Sequence, residues 1–398
     1  MKGQVYNKGG GTAFGVLATL SVAHSLNDMM QSVIMAAYPL IKDELGLTFA
    51  QIGLITLAYQ IAASVFQPVV GLIFDRFPLS RSLQLGMSFT WVGLILLGWV
   101  SSLDGVLISV FLVGMGSSVF HPEASRITSL ASGGKRGLAQ SIFQVGGNFG
   151  TSVGPLLIAL LIVPYGRSHL SLFGWIAAGG ILVMTPACRW FRDYLKEAKT
   201  GLKSESRVER PLPLGVTVWS IGILLLLIFS KYIYMASLSS YYTFYLIEKF
   251  GVSVQSSQLC LCVFLVALAV GTLLGGPLGD RFGRKYVIWF SILGTAPFSL
   301  LMPYVGLGWT VVLSFCIGLM LASAFPAILV YAQELLPYKL GLISGLFFGL
   351  AFGVAGMSSA VLGKIADVHG IETVYRTVAY MPLIGVVTWL LPDLKKRT

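Results

Sequence analysis

Charge is scarce in this chain of 398 residues: Asp, Glu, Lys and Arg together make up 11% of it, where a soluble domain carries about 25%. That excludes a water-soluble globular protein of ordinary design. Cysteine is scarce too, with four in all. Cys188, Cys260, Cys262 and Cys316 all lie within apolar stretches, and no spacing among them reads as a disulfide framework or a metal motif. No GxxxxGK[ST] loop occurs, so energy-requiring work has to draw on a gradient rather than on ATP held in a P-loop. The opening stretch "GTAFGVLATLSVAHSLNDMM" lacks the charged flank and small-residue cleavage site of a removable leader, so the first helix is expected to stay.

What is present is apolar sequence, 56% of the chain with a mean hydropathy of +0.82. It is laid out in continuous runs of about 20 residues, each long enough to cross a bilayer as a helix. The period-2 alternation of a membrane β-barrel is missing. Twelve runs are expected: 13–40, 50–74, 82–101, 104–125, 138–163, 171–191, 215–247, 255–279, 286–305, 309–332, 340–364 and 372–391. The segment "RDYLKEAKTGLKSESRVERPLP" breaks the series with charge and proline. It reads as a linker, 192–214, between bundles 1–191 and 215–398 of six helices each.

The formal net charge of +11 raises nucleic acid as a partner, and its distribution argues against one. With the N-terminus cytoplasmic, nineteen of the 27 Lys and Arg fall on the even-numbered connections and the two tails, and five on the odd ones. That is the positive-inside pattern, so the basic charge is mainly topological and both termini are expected in the cytoplasm.

The second half repeats the first. "GLIFDRFPLSR" from Gly71 returns as "GPLGDRFGRKY" from Gly276, and Gly46 aligns with Gly251 at the same offset. Gly137-Leu138 recur as Gly341-Leu342. Internal repeats in a helical membrane protein point to a transporter, with its substrate near the bilayer midplane. The loop with Gly276, Asp280, Arg281, Gly283 and Arg284 resembles the signature between the second and third helices of the major facilitator superfamily. Its first copy keeps Gly71, Asp75 and Arg76, then departs at Phe77-Pro78-Leu79-Ser80-Arg81. The resemblance implies two pseudo-symmetric six-helix bundles. Physically, an Asp at such a place caps a nearby helix and holds an Arg, a contact suited to gating. Glu334, ending the tenth run, is a candidate partner for Arg281 or Arg284.

Ionisable groups at bilayer depth cost about 2.5–3.5 kcal/mol each on insertion scales, so they face a partner or a wet path. Helix 1 carries His24 and Asp28 four apart, with Asn27 beside them. Helix 2 carries Gln60, Ser64 and Gln67, and helix 5 carries Gln140, Gln144 and Asn148 on one face. Helix 7 carries Lys231 and Tyr234, followed by Tyr241 and Tyr242. In "SSVFHPEASR", Glu123 and Arg126 stand i, i+3 and can pair, with His121 and Pro122 just before them. An anion that draws Arg126 away from Glu123 leaves the carboxylate to take a proton, which would couple the two. Each of these groups also has a purely structural reading as helix-packing polarity. His121 and Glu123 are two apart, not the i, i+4 of a helical metal pair, so an intramembrane enzyme is disfavoured and no metal or catalytic residue is assigned.

The strings "SLNDMMQSVIMAAYP", "FHPEASR", "GLAQSIFQVGGNFGTSVGPLL" and "IFSKYIYMASLSSYYTFYL" resemble the fosmidomycin-resistance branch of that superfamily along nearly the whole chain. The resemblance implies a proton antiporter of the bacterial inner membrane that exports a small phosphonate, acts without a cofactor and works as a monomer. Lys231, Arg126, His24, His121, Gln144, Asn148 and Tyr234 are then the substrate candidates, and Glu123 and Asp28 the proton carriers. The alternative on the same architecture is a proton-coupled uptake symporter for sugar phosphates or other organic anions.

Overall fold

The structure is a computed structural model that describes residues 11–47, 49–162, 164–200 and 212–394. Among these residues there is helix and no strand. Nine segments among the described residues are long and apolar enough to cross a membrane: Gln51–Arg76, Ser82–Trp99, Leu103–Ala131, Leu170–Ala198, Leu214–Phe250, Leu259–Phe282, Arg284–Tyr304, Leu307–Leu335 and Leu340–His369. The other three expected runs are helical as well. Phe14–Ala36 and Arg136–Leu157 carry the polar stripes that lower their hydropathy, and 371–390 is divided between a short α-helix and a 3-10 stretch. Large apolar side chains such as Trp99, Leu182 and Leu214 point outward while His24, Glu123 and Gln67 are buried. This inverts the soluble arrangement, as a lipid solvent requires.

By contact the chain divides into two units. One is Met1–Val208 with Leu336–Gly349, and the other is Glu209–Leu335 with Leu350–Thr398. The first contains α1 (Phe14–Ala36), α2 (Tyr38–Leu45), α3 (Phe49–Gln60), α4 (Phe66–Arg76), α5 (Ser82–Trp99), α6 (Leu103–Ala131), α7 (Arg136–Leu157), α8 (Leu170–Val183) and α9 (Thr185–Lys199). The second contains α10 (Leu214–Phe250), α11 (Val254–Phe282), α12 (Arg284–Leu293), α13 (Ala296–Leu301), α14 (Leu307–Ala322), α15 (Ala324–Leu335) and α17 (Ile371–Val378). α16 (Leu340–His369) begins in the first unit and ends in the second. Of the expected linker 192–214, the part up to Lys199 continues α9, where the run Tyr194–Lys199 is rich in good helix formers. Residues 201–211 lie outside the described residues, as do the tail cations Lys2, Lys8, Lys395, Lys396 and Arg397.

Proline sets the breaks within the apolar runs. Pro186, Pro297 and Pro382 each stand at the first or second position of a restarted helix, where the missing N–H costs nothing. Ile61–Val65 form a π-helical stretch ahead of Pro68, which cannot supply the i→i−4 hydrogen bond. The repeat is visible in the caps: Gly46 closes α2 at φ 61° and Gly251 closes α10 at φ 64°, both in the left-handed region that favours glycine.

α1 and α7 pack against each other along a small-residue seam. A methyl group at Gly146 would run into the carbonyl of Ser21, at Gly150 into that of Ser25, and at Gly154 into Ser32 Oγ. Small residues let the two backbones approach in this way. Gly150→Ala is therefore expected to destabilise the purified protein by about 1–3 kcal/mol, since overpacking here meets backbone rather than a movable side chain. Gly179→Ala, with nothing within 4 Å of the added carbon, serves as the control. A lowered thermal midpoint for the first alone is the expected result.

Candidate functional site

The first unit buries two polar clusters on opposite sides of α6. Glu123 is fully buried and Arg126 is 7% exposed. One turn apart, they form an ion pair, Arg126 Nη1 to Glu123 Oε1 at 2.9 Å. The other carboxylate oxygen accepts from Ser82 Oγ at 2.8 Å, at the start of α5. The same Nη1 donates to the Phe74 carbonyl at 2.7 Å and lies 3.9 Å from Asp75 Oδ1. The guanidinium also rests over the Phe191 ring, 5.1 Å from its centroid.

Asp75 does what its place in the loop signature suggests. Its two oxygens accept the backbone N–H groups of Gly341 and Leu342, each at 2.9 Å, capping α16. This is also a favourable place for a carboxylate in the field of the helix dipole. Gly71 lets α4 come close enough: a methyl there would strike the Gly341 carbonyl. Arg76 is exposed and covers Phe77, so the arginine that serves Asp75 is Arg126 of α6 rather than its sequence neighbour. In the sequence Gly341 and Leu342 stand out only as one end of the repeat.

The second cluster joins α1 to α6 and α7. His24 and His121 are fully buried and Asp28 is 8% exposed. His121 Nε2 meets Asp28 Oδ1 at 3.1 Å and His24 Nε2 lies 3.2 Å from Asp28 Oδ2. His121 thus turns away from its neighbour Glu123 and toward a residue 93 positions earlier, a pairing no local spacing reveals. Asn27 and Gln31 donate to Asp28 Oδ1 at 3.1 and 3.3 Å, and Tyr59 donates to Gln31. His24 stacks on Phe143 at 4.0 Å between centroids. Gln140 bonds the Ser125 carbonyl at 2.8 Å, while Gln144 and Asn148 are half-buried farther along α7.

In the second unit Lys231 is 4% exposed on α10. Its ammonium lies 5.1 Å from the Tyr232 centroid and 5.3 Å from that of Phe325. Among the described residues no carboxylate pairs with it. The rings that flank it are therefore Tyr232 and Phe325, whereas the sequence pointed to Tyr234, which is buried. Phe325 comes from α15, nearly a hundred residues away, and only the fold brings it near. The second loop signature closes on itself: Arg284 Nη2 meets Asp280 Oδ1 at 2.7 Å and Glu334 Oε1 at 3.1 Å. Its Nη1 donates to the Gly279 carbonyl at 2.9 Å. Gly283 takes φ 100°, which its counterpart Pro78 cannot adopt. Arg281 packs over Phe282, and Gly276 lies on α11.

The sequence pattern of the Major Facilitator Superfamily matches residues 20–253 and again 223–398. The chain belongs to the major facilitator superfamily. It is accordingly a multi-pass membrane transporter. It is 56% identical over 382 residues to the fosmidomycin resistance protein of Escherichia coli K12, covering 96% of this chain and 94% of that one. It is 37% identical over 397 residues to the uncharacterized MFS-type transporter YfnC of Bacillus subtilis, covering 100% and 97%. Among solved structures it resembles the fucose:proton symporter FucP of E. coli with a TM-score of 0.72 at 14% identity, over 96% of this chain and 98% of that one. The last likeness speaks to fold alone.

Removing one member of the buried pair strands the other. Glu123→Ala is expected to cost about 3 kcal/mol, with Arg126 left only the Phe74 carbonyl and the more distant Asp75, against about 1 kcal/mol for Ser82→Ala. Thermal unfolding in detergent checks the order, and the double variant Glu123→Ala/Arg126→Met is expected to recover most of the loss.

Proposed function

We propose that the chain exports small anionic compounds of the fosmidomycin kind from a bacterial cytoplasm in exchange for protons. It does so as a monomer of the inner membrane with both termini inside. The observation that carries this reading is Lys231: a buried ammonium flanked by rings and met by no carboxylate among the described residues is suited to an anion arriving from solution. The 56% identity to a protein named for fosmidomycin resistance supports the substrate class. The proton gradient supplies the energy, and no cofactor is invoked.

Protons act through the first unit. A proton on Glu123 cancels the charge that holds Arg126 at 2.9 Å. The guanidinium then keeps the Phe74 carbonyl and turns toward Asp75, 3.9 Å away. Asp75 is the cap of Gly341 and Leu342, so the arrival of a proton is passed to the first turn of α16. A helix end held by one switchable carboxylate is a two-state element of the kind a gate needs. The Asp280–Arg284–Glu334 cluster is the corresponding clasp of the second unit, and Asp28 with its two histidines is the second proton carrier.

Electrostatics restricts where the substrate can sit. An anion that took Arg126 from Glu123 would leave the carboxylate to gain a proton, and the two cargoes would travel together. That is cotransport, and the closeness of Glu123 to Arg126 favours this second reading, uptake of sugar phosphates or other organic anions, if Arg126 binds substrate. Antiport assigns the substrate to Lys231 and keeps the Glu123–Arg126 pair intact while it is bound.

Liposomes holding the purified protein, an imposed pH difference and labelled fosmidomycin test the proposal. Drug and protons are expected to move in opposite directions. Lys231→Ala should lower drug flux about tenfold or more, equivalent to about 1.4 kcal/mol, and Glu123→Gln should uncouple it from protons. Drug and protons entering together would replace export by uptake, and undiminished flux in Lys231→Ala would move the substrate elsewhere.

A further inference from the structure

We propose that His24, Asp28 and His121 form a binding site for a divalent transition-metal cation such as Zn²⁺ or Co²⁺. One donor atom from each residue lies within 4.8 Å of the other two, and all three residues are buried. The hydrogen bonds behind the rings set their orientation. His24 Nδ1 is 2.7 Å from the Phe143 carbonyl, and His121 Nδ1 is 3.1 Å from both the carbonyl and Oγ of Ser117. A carbonyl only accepts, so His24 Nδ1 carries the hydrogen, and the Ser117 carbonyl favours the same tautomer for His121. Each Nε2 then has a lone pair, and each is aimed at one oxygen of Asp28, at 3.2 and 3.1 Å.

Lone pairs on two nitrogens facing a carboxylate repel one another unless positive charge lies between them. Either both rings take an extra proton, or one cation takes their place. His24 Nε2 bears the mark of this: it is fully buried and has no hydrogen-bond partner among the described residues, despite its nearness to Asp28. Zinc–nitrogen and zinc–oxygen bonds of about 2.0–2.2 Å give tetrahedral edges of roughly 3.3 Å. Each His–Asp separation is of that size, one to each oxygen of Asp28. Two imidazoles and a carboxylate suit Zn²⁺, Co²⁺ or Ni²⁺, and lack the all-oxygen shell that Ca²⁺ and Mg²⁺ require.

The support around the donors is of the kind found behind metal ligands. Both Nδ1 atoms are anchored to the backbone, and Asn27 and Gln31 fix Asp28 Oδ1. Gly147 keeps the site open on the side of α7: a methyl there would come 2.5 Å from His24 Nε2 and 2.7 Å from Asp28 Oδ2. Occupation would bridge α1 and α6 and take the place of the protons that Asp28 and its histidines carry when the site is empty; it does not depend on which substrate is carried or in which direction.

The test uses tag-free full-length protein, stripped with EDTA and titrated with Co²⁺ while its visible absorption is recorded. One equivalent should bind and give the intense bands of a low-symmetry, four-coordinate ion, and Zn²⁺ should displace it and raise the thermal midpoint. Asp28→Asn and His121→Gln, each checked for folding by size exclusion, should lose the bands. The double variant His169→Gln/His369→Gln, which removes the other two histidines, should keep them. Asn27→Ala keeps all three donors and should weaken binding about 10–100-fold. Absence of bands in the wild type, or wild-type affinity in Asp28→Asn and His121→Gln, would overturn the site.

Discussion

A charge inside a bilayer needs a partner or a wet path, and Arg126 is where partners of opposite charge gather most densely. One nitrogen of its guanidinium serves Glu123 and the Phe74 carbonyl and lies near Asp75. Arginine does not shed its proton in this setting, so any change of charge falls on the carboxylates around it. Of these, Glu123 is fully buried, while Asp75 is also tied to two backbone N–H groups. The position of one guanidinium therefore links a carboxylate in the C-terminal third of α6 to the first turn of α16.

Such polarity can be housed only because other surfaces pack closely. The glycines of α7 bring its backbone against α1, and in doing so they seal His24 and Asp28 from lipid. The same economy appears where Gly71 meets Gly341. Apolar side chains freed from the interior face outward, where the membrane receives them. The polar stripes that reduce the hydropathy of α1 and α7 are thus the same residues that build the first unit's interior.

Much of this was legible in the residues. Run length gave the helical membrane class, and the repeat foreshadowed the matching left-handed glycines at 46 and 251. The i, i+3 spacing placed Glu123 on Arg126, and the loop signature placed Asp75 and Arg284 in ion-pair roles. What stayed hidden depended on helices meeting at a distance in sequence. His121 reads locally as a companion of Glu123, but the pitch of α6 turns it onto Asp28. Phe325 stands 94 positions after Lys231, yet its ring faces the ammonium. Arg76 adjoins Asp75 in sequence, but it ends its helix on the exposed side, and the arginine near Asp75 is Arg126.

Export by antiport requires that substrate and proton compete for the protein, whereas cotransport requires that each favour the other. The sign of the coupling can be read without a membrane. Fosmidomycin is added to the detergent-purified protein in weakly buffered, mildly acidic solution, and the pH is followed with an indicator dye. Release of protons on binding, absent in Glu123→Gln, is the predicted result. Uptake of protons on binding would contradict antiport and place the substrate on Arg126.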